Sequence, residues 1–251
     1  MFKTKLSQTA NDFTSTYLSR ILASGFSIIL SILISRLLGP FVKGQLSVIS
    51  LIGSLCIILG SLGINSFNMY YAAKDKDRIK QLYVNSVWFC LVMSTISIIT
   101  ILLLAKFFPT VLKNIPPKHL LIYLASLPFV FFNQIMIFIL AGEQRFKPYN
   151  FLSVLYPLLN LIFISILLLV LHLPNLKYLV AAYALTNVIS GLLTLILAKP
   201  SKIETLRFDK ALFQQALDYG LRIYLATIFS TLVLKADLYM VNFFRGPTEA
   251  G

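Results

Sequence analysis

Seven stretches of this chain are apolar for about 20 residues or more, and nothing else in the sequence limits the fold as strongly. A helix of that length crosses the roughly 30 Å hydrocarbon core of a bilayer. The runs are Thr14–Leu38, Gln45–Ala72, Gln81–Phe108, His119–Ala141, Tyr149–Leu171, Leu176–Ala198 and Leu212–Phe244. They are too long and too uniformly apolar for barrel strands, which alternate over about 10 residues. Only 12% of the 251 residues are charged, against 58% hydrophobic, and the mean hydropathy is +0.83. That is too little polar material to cover a soluble domain. The reading is all-α: a polytopic membrane helix bundle.

The net charge of +13 invites a nucleic-acid partner. Its distribution argues against one, because the basic residues sit in short connections between spans. The N-tail and alternate connections carry twelve (Lys3, Lys5; Lys74, Lys76, Arg78, Lys80; Arg145, Lys147; Lys199, Lys202, Arg207, Lys210), and the opposite connections carry six. The excess of Lys and Arg on cytoplasmic loops places the N-terminus in the cytoplasm. Four more, Arg20, Arg36, Arg222 and Lys235, fall inside spans. Cys56 and Cys90 lie in apolar runs and read as small buried hydrophobes, with no metal or cofactor implied. The first run is too long for a cleavable signal, carries Arg20 and lacks a small-residue cleavage site.

Polar residues inside the spans fall into stripes. In span one Arg20, Ser24, Ser27, Ser31 and Ser35 recur at helical spacing on one face. In span two Ser47, Ser50, Ser54, Ser61, Asn65 and Asn68 do the same. A seam of small residues for close helix approach is one reading. One wall of a polar cavity is the other, and asparagines at depth require hydrogen-bond partners. Span three offers no site. Asn133 and Gln134 in span four either pair across helices or face a cavity. Pro157 should bend span five, with Asn160 one turn on. The connection Lys199–Lys210 suits a short segment at the membrane surface, and Asp209 suits the N-cap of the next helix. Span seven carries Arg222, Lys235 and Asp237. Ionisable groups at that depth line a cavity or pair with a neighbour. The substrate-binding candidates are therefore Arg20, Ser24, Ser27, Ser31, Asn65, Asn68, Arg222, Lys235 and Asp237.

Span one ends in RLLGPFVKG (36–44), and the same G-P-x-x-x-G punctuation returns 207 residues later in FFRGPTEAG (243–251). Proline cannot continue a helix and glycine tolerates unusual backbone angles, so the first of these predicts a tight hairpin. An apolar span followed by the same turn, twice, implies an internal duplication. Six spans lie between equivalent points, so the repeats would be parallel. The expected organisation is a six-helix lobe (1–198), a cytoplasmic connecting segment (199–211) and the first helix of a second lobe (212–251). The chain is then expected to be a fragment or a truncated frame.

The stretches RLLGPFVKGQLS (36–47), LGSLGINSFNMYYAAKDKDR (59–78), GEQRFKPYN (142–150) and 208–251 together resemble the polysaccharide (O-antigen, lipid-linked oligosaccharide) flippases of the multidrug/oligosaccharidyl-lipid/polysaccharide exporter superfamily. Phe41, where the family usually has an acidic residue, and Arg222, where it often has proline, depart from the pattern. The resemblance implies two lobes around a central cavity, in the cytoplasmic (inner) membrane of a bacterium, that flip a lipid-linked oligosaccharide by alternating access. Membrane lipids and glycan-assembly enzymes are the further partners it implies. Cations within spans suit an anionic pyrophosphate head, and the Ser and Asn stripes suit sugar hydroxyls. A cation-coupled drug exporter of the same superfamily would want carboxylates deep in the lobe, and Asp12 and Glu143 stand at span edges. A membrane polymerase or ligase would want a large external loop with catalytic groups. His119 and His172 are isolated near span ends, no nucleophile–base pair appears, and no enzyme is expected.

Overall fold

The computed structural model describes residues 2–107, 116–200, 207–224 and 229, with side chains from residue 11 onward. Helix α1 (Phe2–Gly60) is interrupted only at Gly39, whose φ of 75° and ψ of 174° are open to glycine and closed to residues with a Cβ. Pro40 follows at the first position of the second arm, where a missing N–H costs nothing. A straight helix over the apolar run Asn11–Gly60, 50 residues, would be about 75 Å long, more than twice the bilayer core. Instead residues from both arms border one cavity, so the chain folds back at Gly39 as the hairpin reading expects.

Span two departs from expectation. The run Gln45–Ala72 is not one helix. The second arm of α1 stops at Gly60 and α2 (Ile64–Lys74) starts anew. Between them Leu62 (φ 46°) and Gly63 (φ 73°) both take left-handed backbone, which no helix can absorb. Span four also divides, into α4 (Pro117–Ala125) and α5 (Leu127–Gly142), meeting at Ser126. Pro128 supplies no N–H there, so the helical ladder cannot run through. Ser126 ties the joint: its hydroxyl donates to the Tyr123 carbonyl (2.7 Å) and accepts from Asn187 Nδ2 (3.0 Å).

The remaining elements follow the apolar runs. Helix α3 (Ile79–Phe107) leads to α4 and α5. Helix α6 (Phe146–Ser165) contains Pro157 and continues into a π turn, Ile166–Val170. Helix α7 (Leu176–Ala198) is capped by Asn175 Oδ1, which accepts the Lys177 N–H at 2.9 Å. Residues 210–224 form the last described helix, α8. Five described helical stretches are long and apolar enough to cross a membrane, and the first contributes two arms. The chain is a multi-pass membrane protein with an all-helical bundle.

Helix α5 is the central element. Its Leu127, Phe131, Ile135, Met136, Ile139 and Leu140 are fully buried. It packs on α7, α2 and α3, while α1 packs mainly on α6. Outward, α3 presents Trp88, Val92, Ile96, Ile99 and Leu103, an exposed apolar stripe at helical spacing that suits lipid. The start of α8 is fastened to this lobe at several points. A Cβ on Gly63 would fall on the Gly220 backbone, and one on Gly220 would fall on the Leu62 carbonyl. Tyr224 donates to the Leu59 carbonyl (2.7 Å) and Tyr219 stacks on Tyr70. Asp209 caps the helix by accepting the Leu212 N–H (3.0 Å), as its position in the sequence suggests. Asn85 brackets the backbone of that same residue, accepting its N–H and donating to its carbonyl, both at 2.9 Å.

Candidate functional site

The two arms of α1, together with α6 and α7, border an open cavity of about 410 Å³. The first arm contributes Ser27 and Ser31, and the second contributes Ser47, Ser50 and Ser54. These are the serine stripes of spans one and two, brought face to face by the turn at Gly39. Opposite them stand Tyr156, Pro157 and Asn160 of α6 and Tyr183 of α7. A second chamber of about 370 Å³ shares Ser50, Ser54 and Tyr156 with the first, so the two adjoin. Its further walls are Tyr123 of α4, Asn133 and Gln134 of α5 and Asn187 of α7. Gly53 lets the Tyr123 hydroxyl lie against the α1 backbone, where any side chain would collide with it.

The chemistry of the walls is hydroxyl and amide. Ser27 donates its proton to the Ala23 carbonyl (2.9 Å) and Ser54 to the Ser50 carbonyl (3.0 Å). Their oxygens therefore keep acceptor capacity toward the cavity. Asn160 is 2% exposed, and its Oδ1 has no partner among the described residues. Lys43 is the one basic residue among the described lining groups, and it is itself engaged within the protein. No Asp or Glu is among the described lining residues of either chamber.

The predicted site residues separate. Ser27 and Ser31 line the first chamber. Arg20 and Ser24, on earlier turns of the same arm, are exposed and outside both. Asn65 is half-buried on α2 and Asn68 is buried, donating to Ser86 Oγ at 2.8 Å. Both lie beyond the break at 61–63, so the single face expected from Ser47 to Asn68 does not persist. Arg36 and Arg222 are exposed. Lys235, Asp237 and the second Gly-Pro turn lie outside the described residues. Lys43 apart, the described walls of the cavity are uncharged, where the span cations Arg20, Arg36 and Arg222 were expected to line it.

Sequence reasoning missed the polar face of α7. Thr186, Asn187, Ser190 and Thr194 are all buried on it. Thr194 donates to Asn133 Oδ1 at 3.0 Å, so Asn133 both pairs across helices and borders the second chamber. The spacing of 187, 190 and 194 is the same helical signal as the serine stripes. The three tyrosines of the walls carried no such signal, because single aromatics in apolar runs look like core.

Residues 9–251 match the family model described as "Polysaccharide biosynthesis protein". No curated protein matches the chain in sequence. Two solved structures share its fold. One is a MOP superfamily transporter from Pyrococcus furiosus, described as having a binding pocket of reverse polarity that suggests a different function. It is 18% identical with a TM-score of 0.66. The other is an outward-facing multidrug resistance MATE family transporter of the MOP superfamily, also 18% identical, with a TM-score of 0.65. Each alignment covers 94% of this chain and 56% of the other, so the chain spans little more than half the length of these transporters.

Proposed function

Because the chain belongs to the polysaccharide biosynthesis protein family, and its fold is that of MOP superfamily transporters, we propose that it serves a transporter rather than an enzyme. The transporter flips lipid-linked oligosaccharide across the cytoplasmic membrane of a bacterium by alternating access. Its N-terminus lies in the cytoplasm, and membrane lipids and glycan-assembly enzymes are its neighbours. The observation that carries this reading is a cavity bordered by serines, asparagines and tyrosines within an apolar bundle. Hydroxyls and amides at membrane depth are costly unless they have partners or line a wet path. In this lobe the exposed Ser27, Ser31, Ser47 and Ser50 and the buried Asn160 border one open space large enough for a small ligand. A cation-coupled drug exporter of the same superfamily would place a carboxylate in such a space, and none of the described lining residues supplies one.

Arg20 and Arg222 are exposed on the surface of the lobe. In this proposal they meet the pyrophosphate of the carried lipid by charge-assisted hydrogen bonds. The test is reconstitution of the full-length protein in vesicles with a fluorescent lipid-linked oligosaccharide in one leaflet. Protein-dependent movement to the other leaflet is expected, with a fall of about tenfold in the Arg20→Ala/Arg222→Ala variant. No movement by well-folded wild type would reject the flippase. Full activity of the folded double variant would remove the two arginines from it.

A further inference from the structure

We propose that the break in span two is a conformational switch held by α8. While α8 is seated on the lobe the chain is broken at 61–63, and when α8 leaves, residues 45–74 close into one continuous helix. The inference rests on the alternating-access reading, in which lobes that part carry α8 away, and it adds a movement inside the first lobe.

The break leaves backbone groups that a continuous helix would pair. In such a helix the Leu62 N–H would donate to the Ile58 carbonyl and the Gly63 N–H to the Leu59 carbonyl. With both residues left-handed, neither N–H has a backbone partner among the described residues. Leu62 adds a second cost, because a φ of 46° strains a leucine. What offsets these costs comes from α8. The Tyr224 hydroxyl donates to the Leu59 carbonyl at 2.7 Å, in place of the missing N–H. Gly220 lies so close to Leu62 and Gly63 that a Cβ on either glycine would collide with backbone. Leu212 and Ala216 of α8 are buried against α2 and α3, leaving a space of about 10 Å³, the lower limit for one water molecule. The broken form therefore depends on α8. The continuous form regains two backbone bonds and relieves Leu62 without it, and a glycine at 63 is tolerated inside a helix.

The cavity feels the switch through the second arm of α1. On the other side of the break α2 is fixed: Asn68 donates to Ser86 of α3 (2.8 Å), and the Met69 carbonyl lies where a Cβ on Gly142 would stand. The arm meets its neighbours at Gly53 and Gly60 through ring tips, those of Tyr123 and Phe131. Closing the break would swing the arm that carries Ser47, Ser50 and Ser54, so the seating of α8 sets the shape of the cavity.

Amide hydrogen exchange tests the switch in the full-length protein in lipid nanodiscs without substrate, read by mass spectrometry at 61–66 and 210–224. In Gly220→Ala/Tyr224→Phe the new Cβ meets the Leu62 carbonyl and the hydroxyl at Leu59 is gone, so α8 is unseated. Residues 210–224 should exchange faster, while 61–66 should exchange at least about fivefold slower as the Leu62 and Gly63 amides enter a helix. Adding Leu62→Gly, which takes left-handed backbone without strain, should restore fast exchange at 61–66. Simple loss of contacts would loosen both segments, so exchange at 61–66 that is unchanged or faster overturns the switch. Failure of Leu62→Gly to reverse the slowing overturns it too. Should the double variant not fold, Tyr224→Phe alone, which adds no atom that could clash, should slow 61–66 about twofold, and no slowing there is equally fatal. Movement of fluorescent lipid-linked oligosaccharide by the wild type is scored alongside. If the wild type moves it and 61–66 does not slow in the variants, this inference alone falls. If exchange behaves as expected and nothing is moved, the flippase reading falls and the switch stands.

Discussion

At Gly63 the backbone is left-handed and the Gly220 backbone occupies the position a Cβ would take. Two stretches that marked the family resemblance, LGSLGINSF and LDYGLRIY, therefore meet at a pair of glycines. The sequence displays both glycines but not their contact, because 157 residues separate them and helical periodicity carries no long-range information. Gly63→Ala should be costly on two counts: about 1–2 kcal/mol for the left-handed backbone, and the displacement of α8 from the lobe. Gly25→Ala is the matched control, since Gly25 is helical with nothing within 4 Å of an added Cβ. It should be neutral or slightly stabilising, by up to about 1 kcal/mol. Denaturation of the two purified variants in detergent would decide the matter, and equal stability would mean that the glycine crossing carries little of the fold. The serine stripes show the opposite relation of sequence to structure. Their spacing put Ser27 and Ser31 on one face of the first arm and Ser47, Ser50 and Ser54 on one face of the second, and the turn at Gly39 brings these residues to one cavity.

Among the elements, α6 carries the proline expected to bend it, Pro157. Pro157 cannot donate to the Ser153 carbonyl one turn earlier, and the helix ends in a π turn where the Leu171 N–H reaches the Ile166 carbonyl at 3.0 Å. Tyr156 and Asn160 flank the proline and both line the cavity, so any change of bend moves cavity walls. Pro157→Ala returns the missing N–H. The variant should be at least as stable as wild type but should transport severalfold more slowly, measured on one preparation by melting and by vesicle assay. Transport at the wild-type rate would remove the bend from the mechanism. The apolar runs marked the helical segments long enough to cross and, for Leu176–Ala198, both ends. They hid the breaks at 61–63 and at Ser126, because hydropathy averages over the window in which a helix stops and restarts. Pro128 was the available signal for the second break. For the first, Leu62 in left-handed backbone could not have been anticipated, since leucine avoids it.

At the scale of the whole molecule, the arrangement of charge and the number of crossings constrain each other. Lys76, just before α3, and Lys177, in the first turn of α7, are both exposed and stand at opposite ends of the stretch that holds α3, the α4–α5 pair and α6. If the α4–α5 pair crosses once despite its joint at Ser126, three crossings separate the two lysines and they lie on opposite sides. Pro117–Gly142 is 26 residues, about 39 Å of helix, enough for one crossing and too short for two. In the proposed orientation, which follows the asymmetry of twelve basic residues against six, Lys76 is on the cytoplasmic side. A membrane-impermeant maleimide on intact cells should label Lys177→Cys at once and Lys76→Cys only after permeabilisation. The inverse pattern would reverse the proposed orientation and leave the bundle intact. Labelling of both from one side would mean that α4 and α5 enter and leave through the same face, and would break the six-crossing lobe itself.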